Sequence, residues 1–258
     1  MTTLESALAQ VESDSENALK AAREAVSTLN KVHGAAKVGK LKDLARYLRD
    51  AERGIEGLRE KLVTTQQRWN FDIESYLSDG SFVSEIVETA KGQGLKVYEL
   101  DGQVYCYPSL MRVAANDQIL FIDRQRDTHL RPSVVVNHLR ELQNRPVRFR
   151  PEPFLKALKE AYDYWVARKR AGRRAAPTLA PLAEIYSLLT PLPGQAREYS
   201  KQEFARDLYL LDETVAGAPA GFRLHPATGR EPLGKVFPVV TKDGERKRYY
   251  AISFTKDE

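Results

Sequence analysis

Cysteine is almost missing from this chain. Cys106 stands alone among 258 residues, which excludes an internal disulfide framework and makes a reducing, cytoplasmic setting the simplest expectation. Long apolar runs are missing as well: nothing approaches the roughly 18 apolar residues of a membrane-spanning helix, the N-terminus lacks the apolar centre of a signal peptide, and no membrane association is expected. The histidines His33, His129, His138 and His225 are dispersed, and Cys106 has no ligand pattern beside it, so neither a zinc site nor another cofactor is expected. Paired carboxylates of the nuclease type are also wanting. Asp72, Glu74, Glu99, Asp101 and Asp123 read as turn and surface acids.

What the chain does have is apolar residues at helical spacing. Leu41, Leu44, Leu48, Ala51, Ile55, Leu58, Leu62, Thr65 and Trp69 alternate at steps of three and four, the period of a helix with one sticky stripe. Leu4, Leu8, Val11, Ser15, Ala18, Ala22, Ala25 and Leu29 repeat that spacing with smaller side chains, which let two helices approach closely. Residues 3–70 therefore read as an antiparallel helical hairpin with its turn at residues 30–34, where Gly34 can end a helix. Each arm would reach on the order of 40 Å at about 1.5 Å per residue. Gly54 and Gly57 mark either close contacts or a bend. Two arms covering only each other leave Tyr47, Val63 and Trp69 incompletely buried, so Leu41, Leu44, Leu48, Ile55, Leu58, Leu62 and Trp69 are expected to meet a protein partner or a second copy.

Further on, Ser81 can cap a short helix reaching about residue 91. Strands at 95–100 and 103–107 flank Asp101-Gly102, a strong hairpin signal, and two more are expected near 110–113 and 118–123. Pro132 suits the first position of a helix running to about residue 143. A helix at 154–169 precedes an alanine- and proline-marked tether. Helices near 179–190 and 200–214 follow, the second with Ser200 and Glu203 at capping-box spacing. Strands are expected at 222–224, 235–240 and 248–254, with Asp243-Gly244 joining the last two. The fold class expected is α+β: a coiled-coil-like helical hairpin over 1–75, a small antiparallel sheet flanked by helices over 76–150, a basic helix and connector over 151–176, and a C-terminal module over 177–258. Helices followed by a hairpin make that last module similar in architecture to winged-helix domains, one helix short of their usual three.

The formal charge of +5 is unevenly spread. Arg145, Arg148, Arg150, Lys156, Lys159, Arg168, Lys169, Arg170, Arg173 and Arg174 face only Glu152, Glu160 and Asp163 along the same stretch, and Tyr162, Tyr164 and Trp165 add aromatic surface. Such a segment can neutralise phosphates whatever the base sequence. Lys242, Arg246, Lys247 and Arg248 cluster at the expected C-terminal hairpin tip. The winged-helix likeness implies that this tip contacts the DNA backbone.

Two short motifs point elsewhere. Gly34, Gly39 and Lys40 have the spacing of a phosphate-binding loop, but Leu41 occupies the magnesium-holding Ser/Thr position and the residues before it read as helix instead of strand, so the stretch is assigned to the hairpin turn. Arg131 and His138, separated by six residues, resemble the arginine–histidine pattern of the HEPN ribonucleases. That resemblance implies His138 as general acid or base and Arg131 as a stabiliser of phosphate charge. Weighed together, the sequence favours a non-enzymatic, nucleic-acid-associated adaptor, probing DNA phosphates with its basic segments and recruiting a protein through its hairpin. A protein-only scaffold subunit is the second reading and a HEPN-like ribonuclease the third.

Overall fold

A computed structural model describes residues 2–145, 149–170, 178–214 and 221–255. Arg148, Arg173 and Arg174 lie outside the described residues. The chain divides into two compact units, Met1–Glu85 with Arg131–Ser133, and Ile86–Leu130 with Val134–Glu258.

The first unit is the helical hairpin and what closes its open end. Helix α1 (Leu4–Lys37) starts at Thr3, whose side chain accepts from the Ser6 backbone N–H, and packs along α2 (Leu41–Arg68). The turn falls later than the expected 30–34. Gly34 stays inside α1, at a cost of roughly 1 kcal/mol that a long packed helix absorbs, and Gly39 with φ +72° makes the reversal. Small side chains line the seam: Ala18, Ala25, Ala35 and Ala51 are buried, and a Cβ on Gly54 would lie 3.9 Å from that of Ala25. Gly54 is thus a close contact and not a bend.

Asp72 caps α3 (Ile73–Ser78), and the Asp79 carboxylate accepts from Ser81 N–H at the start of α4 (Ser81–Gly92). Glu85, buried, accepts from the backbone N–H groups of Leu4 and Glu5 (3.0 and 3.1 Å) and from the Tyr76 hydroxyl (2.7 Å). A carboxylate at these unpaired N–H groups satisfies the start of α1 and meets the positive end of its dipole. Arg131 ties in from later in the chain, donating to Glu5 (2.8 Å) and Glu12 (2.5 Å).

In the second unit, strands β1 (Tyr98–Leu100), β2 (Gln103–Cys106), β3 (Ser109–Ala114), β4 (Ile119–Ile122) and β5 (Gln125–Asp127) form an antiparallel meander in sequence order. Asp101-Gly102 turns β1 into β2 with both φ angles positive, as the sequence implies, and Asp123-Arg124 does the same between β4 and β5 without a glycine. Then come α5 (Pro132–Gln143), α6 (Pro151–Arg170), β6 (Ala180–Pro181), α7 (Leu182–Leu189), α8 (Gln195–Glu198) and α9 (Lys201–Thr214). The expected capping box is formed: Ser200 N–H donates to Glu203 and Glu203 N–H donates to the Ser200 hydroxyl. The last strands are β7 (Phe222–Pro226), β8 (Phe237–Val240) and β9 (Arg246–Phe254), and β6, β7 and β8 all pair with β9.

One core runs through this unit. Tyr105 and Leu110 of the meander pack in the same buried cluster as Leu158, Trp165, Ile185, Phe204, Leu208, Phe237 and Ile252. The boundaries drawn at 150/151 and 176/177 therefore follow changes of composition, while the hydrophobic interior continues across them. The winged-helix likeness is not confirmed. Strand β9 is the hub of a sheet that also takes in β6 and β7, and the tip of the β8–β9 hairpin does not project: Lys96 Nζ lies 3.0 Å from Asp243, and a Cβ on Gly244 would fall 2.7 Å from the Tyr98 ring.

Candidate functional site

Two surfaces carry the chemistry singled out above, and a cleft adds to them. The first surface belongs to the hairpin. Its seam follows two heptad columns on each helix, Ala18, Ala25 and Val32 beside Ala21, Thr28 and Ala35 on α1, and Leu44, Ala51, Leu58 and Thr65 beside Tyr47 and Gly54 on α2, all buried or half-buried. The leucine stripe accordingly splits. Leu44 and Leu58 are spent inside the hairpin, whereas Leu41, Leu48, Ile55, Leu62 and Trp69 remain 75%, 51%, 49%, 54% and 41% exposed. Leu19, Val26 and Leu29 of α1 are also exposed. Val63, also exposed, lies on the side of α2 opposite the seam; the other exposed apolar residues of each helix are displaced from the seam in the same rotational sense. In an antiparallel pair that puts them on one side, making a continuous apolar face.

The second surface is basic, and it is more neutralised than its sequence suggests. Lys156 and Lys159 pair with Glu160 (3.9 Å) and Asp163 (2.5 Å) one turn on, and Arg145 with Glu141 (3.7 Å). Lys169 reaches Glu184 (3.1 Å) and lies 5.9 Å from the Trp165 ring centre. In the C-terminal cluster, Lys242 pairs with Glu213 (2.5 Å), and Lys247 with Asp212 (3.3 Å), which also accepts from the Tyr249 hydroxyl (2.9 Å). Period-two alternation turns Arg246 and Arg248 away from Asp212. Among the described residues Arg150, Arg168, Arg170, Arg246 and Arg248 are exposed and make no ion pair. These five are the free cations among the described members of the expected set.

The cleft, about 830 Å³, is lined by the β4–β5 turn, α5, the start of α6 and α9. Sequence reading missed it, because its polar network joins residues about 80 positions apart with no local signature. Arg206 donates to Asp123 (3.0 Å) and to Asp207 (2.9 Å), and Arg124 to Glu203 (2.6 Å). Burial opposes the charge on Arg206, but the carboxylates of Asp207 and Asp123 outweigh it and raise its pKa. On another wall His138 Nδ1 is 3.2 Å from one Asp127 oxygen, and His129 Nδ1 is 2.6 Å from the other. Burial works against ionising Asp127, yet the His129 N–H and the two imidazoles hold its pKa below the ordinary range. Arginines and carboxylates lie interleaved here, so the cleft is an ion-pair network more than an open anion site.

The arginine–histidine motif meets the same fate. Arg131 is occupied by Glu5 and Glu12, and His138 by Asp127. The stretch with phosphate-loop spacing forms the last turn of α1 and the reversal after it. Cys106 is buried in β2, where its surroundings push the thiol up to about 12 by desolvation. Among the described residues no group of three or more His, Cys, Asp or Glu is placed to hold a metal, and no helix is long and apolar enough to cross a membrane. Comparison of the chain with protein-family models, curated proteins and solved structures finds no match.

Proposed function

We propose that this protein is a non-enzymatic adaptor in a nucleic-acid-associated assembly. Its hairpin docks a helical protein surface, and its free arginines contact phosphates. The observation that carries the docking half is the exposed heptad column Leu41, Leu48, Ile55, Leu62 and Trp69, because a soluble helix keeps such a column only where something covers it. For the phosphate half, Arg168 and Arg170 end α6 and Arg246 and Arg248 share one face of β9, all without carboxylate partners among the described residues. Contacts of this kind position a chain on the backbone and read no bases.

A second reading, a scaffold that touches only proteins, draws support from the six basic residues of the expected set already paired with acids, Arg145, Lys156, Lys159, Lys169, Lys242 and Lys247. A mobility-shift titration on duplex DNA and RNA at several salt concentrations separates the two. The adaptor reading expects retention at low salt that is lost on reversing Arg168, Arg170, Arg246 and Arg248 to glutamate. Absence of binding at low salt leaves the scaffold standing alone.

A further inference from the structure

The apolar face of the hairpin has a register and a charge order compatible with packing against a second copy of itself. Within the exposed column of α2, Leu48 and Leu62 lie equally far on either side of Ile55, and so do Leu41 and Trp69. A two-fold axis through Ile55 therefore lays the column onto itself in antiparallel register, layer for layer. The adjoining outer column reads Ala45, Glu52, Arg59, Gln66. The same rotation brings Glu52 within one residue's rise of Arg59 of the other copy, twice, and brings no like charges together in that column.

Helix α1 supplies an independent check. Ala25 faces Gly54 across the seam, which puts residue 24 of α1 level with Ile55. The two exposed leucines of α1 are centred on that same level. Leu19 and Leu29 lie five residues to either side of it, and half-buried Ala22 and exposed Val26 lie two. The axis that pairs the α2 column with itself thus also stacks Leu19 on Leu29 and Ala22 on Val26. The leucine pair of α1 and the charge order of the outer α2 column are both compatible with a dyad at this level.

We infer that the occupant of this face is a second copy of the chain, forming an antiparallel four-helix bundle with its two-fold axis at Ile55. The inference rests on the docking reading of the hairpin and names its partner. The size is adequate: α2 spans 28 residues, about 42 Å, and two adjacent helices present a strip about 20 Å wide. Such faces bury on the order of 1,600 Å² between two copies, the standard size of a specific interface. Crossing near 20° with interlocking side chains is the ordinary geometry of such bundles.

The test uses the full chain carrying Cys106→Ala, sedimentation analysis for mass, and single cysteines for register. Expected are a concentration-dependent dimer, rapid disulfide cross-linking of Ile55→Cys to itself, and rapid cross-linking of Leu48→Cys only when mixed with Leu62→Cys. Two Leu48 positions would lie about 20 Å apart in this register, so Leu48→Cys alone is expected to cross-link at least about tenfold more slowly. Glu52→Arg should weaken the dimer roughly tenfold through its two symmetric contacts, and Glu52→Arg with Arg59→Glu should restore it to within about threefold. Self-cross-linking of Leu48→Cys as fast as that of Ile55→Cys, or no rescue by the double variant, overturns the register. A chain still monomeric at about 100 µM, where an interface of this size associates, overturns the second copy. If Ile55→Glu then still abolishes capture of a different helical protein, the adaptor reading survives alone; if it changes nothing, both fall.

Discussion

Arg206 lies 3.0 Å from Asp123, joining helix α9 to the turn between β4 and β5. Only 15% of the Arg206 side chain is exposed, and Asp207 beside it is as deeply placed. Removing the guanidinium would leave the Asp207 carboxylate desolvated with only the Tyr199 hydroxyl to hold it. Breaking one partner of such a pair typically costs about 3 kcal/mol or more. Arg206→Met is therefore expected to lower the unfolding free energy of the second unit, read from its urea transition, by that amount, whereas Arg124→Met, whose side chain is 57% exposed, should change it by less than about 1 kcal/mol.

Glu5 gives the first unit an acid-sensitive element. Burial opposes its ionisation, but the Ser133 N–H, Arg131 and the Ser133 hydroxyl together hold its pKa below the ordinary 4.5. A carboxylate depressed in the folded state adds stability that is complete above its unfolded pKa and disappears as pH falls through the folded one. Hydrogen exchange over the first turns of α1 should accordingly quicken as pH drops below about 4.5, after correction for intrinsic rates. In Glu5→Gln that pH dependence should flatten. An unchanged pH profile in the variant rules Glu5 out as its source.

The hairpin was legible in the spacing of its leucines, but which leucines face inward was not. Both α2 columns are apolar, and the choice is made by α1: its alanines build the seam, and the close approach of Ala25 to Gly54 selects the column of Ala51 over that of Ile55. The turn was misplaced because Gly34 and Gly39 are equal as residues. Only the backbone distinguishes them, Gly39 taking φ +72°. Strand β5 was missed for a related reason. Its turn, Asp123-Arg124, adopts positive φ at both residues without glycine, while the Asp123 carboxylate accepts from Leu110 N–H and Arg206, and Arg124 reaches Glu203. Those anchors are distant in sequence, and so is the whole charged cleft. The meander turn at Asp101-Gly102 and the capping box at Ser200 and Glu203 were readable because each is complete within four residues.

Gly244 tests whether the C-terminal hairpin tip is docked. Its φ of +88° is disfavoured for any side chain, and a Cβ there would sit 2.7 Å from a Tyr98 ring carbon. Gly244→Ala is expected to destabilise the second unit by about 1–3 kcal/mol, the usual range for backbone strain of this type. Combining it with Tyr98→Ala should remove the steric part, so that the two losses add to less than their sum. Strict additivity would mean that the tip stands clear of β1 in solution.

The basic residues allow a sharper test than their number would. Arg168, Arg170, Arg246 and Arg248 are free among the described residues, while Lys156, Lys159, Lys242 and Lys247 are each paired with a carboxylate. A cation already paired has fewer nucleic-acid counterions to release, so it contributes little to the salt dependence of binding. Neutralising the four arginines to glutamine should flatten the plot of log affinity against log salt by about 3.6 units on duplex DNA. The corresponding change of the four lysines should alter that slope by less than about one unit, although both variants lose the same formal charge. Equal losses of slope would mean that net charge alone governs binding. The ion pairs of α6 and α9 would then open on contact with phosphate, and the distinction between free and occupied cations would carry no functional weight.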